Sequence, residues 1–334
     1  MKHVFVTGAT GHVGYNVVQL LIEKGYRVRA GVRDVAKAGR LRALGAEPVA
    51  ADLRDPASLK AATAGVEGVF QVAAVYKVTA KDPQKEIIEP SIEGGLNVLR
   101  AAKAAGVRRV VFTSSVAAIG MGERGEDRAL TEDDWNTGAK NPYNYAKTAA
   151  EQAAWEFAQQ NDLDLVSINP SAVIGPGFFR HTPSTILFEM LLRGRLPVIM
   201  PFTLTFVDAR DVAAAHVLAY ENQAASGRYI CADYNTSLED LMPLFRDVDP
   251  TLKVPKTMLP NFLLPTAPLF DWLGHKFTGA PRAVTGETIR EMANNPIRYS
   301  SDRLRLQLGW RPRPIKDSLR DTLNWVRKEF MDQA

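Results

Sequence analysis

Seven residues, Gly8-Ala9-Thr10-Gly11-His12-Val13-Gly14, join a β-rich run directly to a helical pattern. The run before them is His3–Thr7, and helical periodicity continues from Gly14 to Lys24. Glycine permits the tight turn that such a junction needs, because no Cβ crowds it. It also lets backbone N–H groups approach a pyrophosphate, and the helix N-terminus behind them favours anionic charge. The GxxGxxG spacing is one residue wider than the usual dinucleotide fingerprint, but the strand and helix context is that of a dinucleotide site. A plain strand-to-helix turn is the competing reading. A second glycine pattern, Gly120-Met121-Gly122-Glu123-Arg124-Gly125, matches GxGxxG literally. It runs into the polar, aperiodic stretch Glu126–Asp134, so no helix dipole would face a phosphate there. It reads as a loop at the mouth of the site.

The first 170 residues alternate strand and helix patterns. Apolar β-rich runs fall at Tyr26–Val32, Pro48–Ala50, Gly68–Ala74, Arg109–Ser114 and Leu163–Ile168. Helical stretches fall at Asp34–Leu44, Gln84–Ala105 and Pro142–Gln160. This alternation implies right-handed βαβ units, hence an α/β fold with a doubly wound parallel Rossmann sheet. Beyond residue 170 the pattern loosens, with Pro170, Gly175, Pro176, Gly177, Pro197 and Pro201 breaking it up. Gly227–Cys231 reads as a strand returning to the sheet, and Leu238–Arg246, Asn261–Lys276, Pro281–Asn294 and Ile315–Phe330 read as helices. The expected organisation is a dinucleotide-binding domain over 1–170 with a return segment about 204–232. A smaller, discontinuous substrate domain is expected over 171–203 and 233–315, then a C-terminal helix over 316–334.

Composition narrows the function. The 334 residues carry a net charge of only +4, with no clustered basic and aromatic run, which argues against a nucleic-acid partner. No stretch reaches the ~20 apolar residues of a membrane helix. The apolar segment Met258–Trp272 is interrupted by Pro260, Pro265 and Pro268 and reads as a buried lid or wall. One cysteine, Cys231, excludes an internal disulfide. A cytoplasmic protein is expected.

Two constellations carry chemistry. An NAD-binding unit places Asp or Glu about 20 residues beyond its glycines, for the ribose hydroxyl. Here the second strand ends Val32-Arg33-Asp34, so Arg33 follows an apolar residue where the acid belongs. A guanidinium matches a 2′-phosphate, and Lys37 and Arg40 lie on the next turns, so NADP (NADPH) is the expected cofactor. Asp52-Leu53 is a plausible adenine contact or a capping turn. Further on, Tyr143 and Lys147 stand at i and i+4 and share a helix face. That helix follows a strand ending Phe112-Thr113-Ser114-Ser115, and strand ends are where doubly wound folds hold ligands. A serine there can hydrogen-bond a carbonyl, a tyrosine can protonate it, and a nearby ammonium lowers the phenol pKa.

These residues resemble the extended short-chain dehydrogenases/reductases. Val28–Asp34, Gly94–Leu99, Phe112–Ser115 and Gly227–Cys231 are similar to segments of the dihydroflavonol 4-reductase and cinnamoyl-CoA reductase subgroup, which uses NADPH. Asn169-Pro170-Ser171 resembles the segment under the nicotinamide, and Phe206–Ala213 resembles the return into the main sheet. Leu308-Gly309-Trp310-Arg311-Pro312 is similar to a common ending. The resemblance implies Ser115, Tyr143 and Lys147 as catalytic residues. It implies Gly8, Thr10, Gly11, His12, Val13, Arg33, Asp52, Leu53, Ala73, Lys147 and Pro170 as the cofactor lining. Leu204 and Glu93 stand where many sugar-nucleotide members carry Arg and Asn, which argues against an epimerase. Asn141–Tyr145 departs from the cinnamoyl-CoA reductase pattern, which argues against a CoA thioester.

The resulting expectation is an NADPH-dependent reductase of a small ketone or aldehyde, dihydroflavonol 4-reductase-like, with no metal. The alternatives are a 3β-hydroxysteroid-type dehydrogenase, an NAD-dependent sugar-nucleotide epimerase/dehydratase, and a non-catalytic NADP-binding regulator. Substrate-pocket candidates are Val75, Tyr76, Ile119, Met121, Phe178, Phe179 and Phe202, each of which taken singly reads as core before pocket; Lys77 reads as a plain loop lysine before a contact for an anion. The resemblance also implies a homodimer, joined through Gln84–Ala105 and Pro142–Gln160, whose Ala-rich faces permit close packing.

Overall fold

A computed structural model of the chain describes residues 2–74, 80–122, 128–278, 286, 289–290, 293 and 295–332. Among them the strands, in chain order, are β1 (His3–Val6), β2 (Arg27–Val32), β3 (Glu47–Ala50), β4 (Gly68–Gln71), β5 (Arg109–Thr113), β6 (Leu165–Pro170), β7 (Ala172–Ile174), β8 (Thr203–Asp208), β9 (Gly227–Cys231) and β10 (Tyr234–Ser237). The helices are α1 (His12–Glu23), α2 (Gly39–Ala43), α3 (Pro56–Thr63), α4 (Glu89–Ala104), α5 (Pro142–Gln160), α6 (Pro183–Leu192), α7 (Ala209–Glu221), α8 (Leu238–Val248), α9 (Ala267–Thr278), α10 (Asp302–Leu308) and α11 (Ile315–Val326).

Seven strands form one parallel sheet in the order β3-β2-β1-β4-β5-β6-β9. All four residues of β4 and all six of β6 are buried, as strands covered on both faces require. On one face α1 packs on α7, with Val17, Val18 and Leu21 in a core shared with Val212, Ala213 and Val217. On the other, Leu59 and Ala62 of α3, Val98 and Leu99 of α4, and Ala154 and Ala158 of α5 share a second core. The sheet is therefore doubly wound. The winding reverses between β1 and β4, and ligands in such folds bind at the strand ends beside that point.

The expected strands are present, with ends moved by up to three residues. The expected helix Asp34–Leu44 is instead a 3-10 turn over Val35–Lys37 followed by α2. Asp34 starts the turn by accepting the Ala36 N–H at 3.0 Å. Of the expected helix Pro281–Asn294 the greater part lies outside the described residues.

A third core surrounds a three-stranded sheet in the order β10-β8-β7, β7 parallel and β10 antiparallel to β8. Ile174, Phe188, Phe206, Phe245, Leu319 and Leu323 fill it, which draws in α6, α8 and α11. This corrects the expected place of Phe206–Val207. The two residues lie in β8 of the small sheet, where Phe206 pairs with Tyr234 and Ala172. The chain rejoins the main sheet afterwards, through α7 and β9. On α5, Ala146, Ala150, Ala154 and Ala158 are buried inside the chain itself, while Ala149 and Ala153 are half-buried. The segment Met258–Trp272 is not a buried wall either. Leu264 is buried, but Phe262 is 79% exposed, and Leu269 and Trp272 also face solvent.

Candidate active site

The glycine turn closes at the C-terminal end of β1. Gly8 has φ +63°, and a Cβ there would lie 2.8 Å from the Ala73 backbone at the end of β4. A Cβ on Gly14 would lie 2.2 Å from the Gly8 carbonyl oxygen. The turn is held by the Gly11 N–H donating to Gly8 O at 2.9 Å and by the Thr7 hydroxyl accepting the Val72 and Ala73 N–H groups at 2.9 Å. Thr10 and Gly11 are exposed at its tip. Gly11 caps α1 with no side-chain hydrogen bond, and the first turn of α1 carries no acid. The N-terminus of α1 thus keeps its electropositive end for an anion. A dinucleotide diphosphate fits here, because the turn closes this tightly only without side chains at Gly8 and Gly14 and leaves the α1 N-terminus free of a side-chain cap.

His12 and Val13 open α1, but the His12 ring points away from the turn tip. Its Nε2 donates to Gly175 O at 3.0 Å, and burial lowers its pKa to about 4, so the ring is neutral. Any His12 contact with a ligand in the cradle is therefore through its backbone. Arg33, at the end of β2, is exposed and makes no ion pair among the described residues. Its charge helps hold the Asp52 carboxyl below its usual value, after the larger effect of Arg54, which hydrogen-bonds Asp52 through Nε and Nη2. The two other cations expected beside Arg33 are occupied. Lys37 pairs with Asp34 at 3.4 Å, and Arg40 pairs with Glu329 at 2.9 Å while lying 3.8 Å from the Phe179 ring centre.

Lys147 lines a cleft with Leu53, Gln71, Ala73, Ala74, Pro90, Ser91, Phe112, Thr113 and Ala150. The cleft thus gathers Leu53, Ala73 and Lys147 from three distant parts of the sequence. Desolvation pulls the Lys147 pKa down to about 8, against the opposing charge of Glu151. The amine has no ion pair within the described residues. Thr113 is fixed from behind: its hydroxyl lies 2.7 Å from His216 Nε2, while His216 Nδ1 lies 2.7 Å from Val212 O. A carbonyl only accepts, so Nδ1 carries the proton. Burial holds the His216 pKa near 4, so Nε2 is bare and Thr113 donates to it.

Ser115 follows β5 and is half-buried, its hydroxyl accepting the Ala117 N–H at 3.1 Å. Tyr143 stands in the first turn of α5, half-buried, its N–H held by Asn141 Oδ1 at 2.9 Å. Helix α5 packs on the turn 116–118 that Ser115 begins. Pro170 ends β6, buried and paired with Cys231. Sequence reasoning missed Glu151 and Arg228, which meet Asn169, of the segment expected under the nicotinamide, beneath this edge. Glu151 is the next residue after Lys147 at i+4 spacing, which was the available signal.

The apolar pocket candidates scatter. Val75 and Tyr76, with Lys77, lie outside the described residues. Met121 is half-buried against the cluster of Ile119, Leu130 and Ile297. Ile119 and Phe202 are core residues, 1% and 7% exposed. Phe178 is packed between His12, His181 and Phe330, and Phe179 between Tyr15 and Trp325. Ile119 and Phe202 thus take the core reading, in hydrophobic clusters, and Phe178 and Phe179 are held against α1 and the C-terminal helix.

Residues 4–235 match the NAD dependent epimerase/dehydratase family. The chain belongs to that family. It is similar to dihydroflavonol 4-reductase of Zea mays, 36% identical over 76% of this chain and 76% of that protein. It is similar to cinnamoyl-CoA reductase 1 of Petunia hybrida, 36% identical over 90% and 95% of the two lengths. Among solved structures, Gre2 from Candida albicans in complex with NADPH superposes with a TM-score of 0.76 at 26% identity, covering 99% and 100% of the chains. The family assignment makes this chain an extended short-chain dehydrogenase/reductase, an oxidoreductase on a Rossmann fold.

Proposed function

We propose that the chain is an NADPH-dependent carbonyl reductase that converts a small ketone or aldehyde to an alcohol. The observation that carries this reading is the Lys147 amine, set into the cleft beside Ala73 and the glycine cradle, one helical turn from Tyr143. The reductase names of the relatives and the NADPH in the Candida albicans complex support it. Gly8, Gly11 and Gly14 with the first N–H groups of α1 would hold the diphosphate, and Arg33 the 2′-phosphate. Leu53, Ala73, Lys147 and Pro170 would line the nucleoside portions. Bound there, NADPH supplies a hydride to the carbonyl carbon.

The residues of this chain do the rest. Ser115 donates a hydrogen bond that orients the carbonyl oxygen. Tyr143 passes its phenolic proton to that oxygen as the alcohol forms, and water later restores it. Lys147 is mostly protonated at neutral pH, since its pKa lies near 8. Its ammonium stabilises the phenolate left on Tyr143. The test is initial rates of NADPH and NADH oxidation across aryl and alkyl ketones, aldehydes and dihydroflavonols. Turnover of at least one class, faster with NADPH at equal concentration, is the expected result. NADPH binding without consumption across the whole panel refutes it.

A further inference from the structure

Beneath the proposed site lies a charged cluster that the reductase steps above do not use. Glu151 stands four residues beyond Lys147 and eight beyond Tyr143, on the same face of α5. Its side chain is fully buried. Oε2 accepts from Ser114 Oγ at 2.6 Å, Asn169 Nδ2 at 2.8 Å and Arg228 Nη2 at 3.2 Å. Oε1 accepts from Ser167 Oγ at 2.7 Å and Arg228 Nε at 2.9 Å. The same Asn169 amide donates to the Ser115 carbonyl at 3.2 Å. Arg228 spends its other N–H groups on Glu132 O, Asp134 O and Ala118 O, and its guanidinium lies 3.6 Å from the Trp135 ring centre.

One carboxylate therefore ties together β5, α5, β6 and β9. Stability does not call for ions here, since well-packed apolar residues often serve as well as a buried pair. What an ion pair adds is directional bonds from a single point on α5 to three other elements. Those elements carry the proposed reacting groups: Ser114 and Asn169 fix both sides of Ser115, and the Glu151 backbone belongs to the helix of Tyr143 and Lys147.

We propose that the Glu151–Arg228 pair is a positioning unit, which fixes Ser115 against the reactive face of α5 and supplies the counter-charge to the Lys147 ammonium. This rests on the reductase reading for its consequence in turnover. The charge around Lys147 is simple. Among the described residues, the strands and helix packed over it present Gln71, Phe112, Thr113, Pro90 and Ser91, none of them titratable. Behind Thr113 stands His216, which is neutral above pH 4. On its own helix Tyr143 and Glu151 share its face, and Arg228 reaches it only from behind Glu151. Glu151 opposes the desolvation that lowers the Lys147 pKa.

The experiment reads Lys147 directly. Full-length chain is acylated with acetic anhydride across a pH series, and the Lys147 peptide is followed by mass spectrometry. In Glu151→Gln the midpoint of labelling moves to lower pH, by about 1 unit as for loss of a close opposite charge. In the same variant kcat with saturating NADPH falls about tenfold or more, with KM for NADPH little changed, as expected for misplaced reacting groups. Asn169→Ala lowers kcat without moving the midpoint, because the charge stays. If Glu151→Gln does not fold, Glu151→Gln/Arg228→Gln removes both buried charges and is read the same way. A folded variant whose midpoint and kcat both match wild type overturns the proposal. A shifted midpoint in a chain that reduces no carbonyl supports the positioning of Lys147 and removes the reductase reading alone.

Discussion

Placing a methyl group at Gly14 tests the cradle most sharply. The Cβ of Gly14→Ala would lie 2.2 Å from the Gly8 carbonyl oxygen and 2.8 Å from its carbon. Both are backbone atoms, so no rotamer change relieves the clash. Restoring an ordinary van der Waals separation opens the turn by about 1 Å. That breaks the Gly11 N–H to Gly8 O bond and swings the first N–H groups of α1 away from the β1 end. A 1 Å misplacement of binding groups costs about 10²-fold. The expected change is a rise of about 30- to 100-fold in the Kd for NADPH, or roughly 2–3 kcal/mol. Gly39→Ala is the control. Nothing lies within 4 Å of a Cβ there and its φ is ordinary, so it gains about 0.5–1 kcal/mol of stability with unchanged binding. Titration of NADPH fluorescence on both variants, with circular dichroism to confirm folding, decides the matter. Binding by folded Gly14→Ala within threefold of wild type refutes the assignment of the turn to the diphosphate.

Two further predictions follow from charges. Arg33→Ser lowers the NADPH-to-NADH preference in kcat/KM by about tenfold or more, the value of a charge-assisted bond to phosphate. Arg40→Ala leaves that preference alone, because its guanidinium is held by Glu329 and Phe179; competitive rates with both cofactors check each variant. Thermal stability also has a signed pH dependence. His12 and His216 have pKa values near 4 in the folded chain, against 6.5 unfolded. Between those limits the unfolded chain binds protons that the folded chain refuses, so stability falls as pH drops from 6.5 to 4. Asp211, pushed up to about 6 by burial, binds its proton first in the folded chain and offsets part of that loss. Scanning calorimetry should show Tm falling over this window, with a shallower fall in His216→Gln; a Tm that rises on acidification contradicts it.

The parts of the fold written in local patterns were legible. The β1–turn–α1 unit was readable because glycine spacing, strand run and helix period all lie within about twenty residues of one another. The parallel strands were readable because burial on both faces makes continuous apolar runs. The three-stranded sheet was not, since β7 and β10 are brief and the three strands meet from separate segments. Phe178 and Phe202 looked like pocket residues only because an aromatic in a loosely patterned region carries no sign of which face it takes. Arg40 looked available for phosphate because Glu329, its partner, lies at the far end of the chain. Arg228 was passed over for the same reason: Glu151 stands at i+4 from Lys147, but its partner lies 77 positions away and leaves no periodic trace.

The account stands on the phenol of Tyr143 as proton donor. The measurement that bears on it most directly compares wild type and Tyr143→Phe for NADPH oxidation with a carbonyl the wild type reduces, with NADPH affinity measured on both. The account predicts a fall of about 10²–10⁴ in kcat at unchanged affinity. Turnover by Tyr143→Phe at the wild-type rate contradicts it.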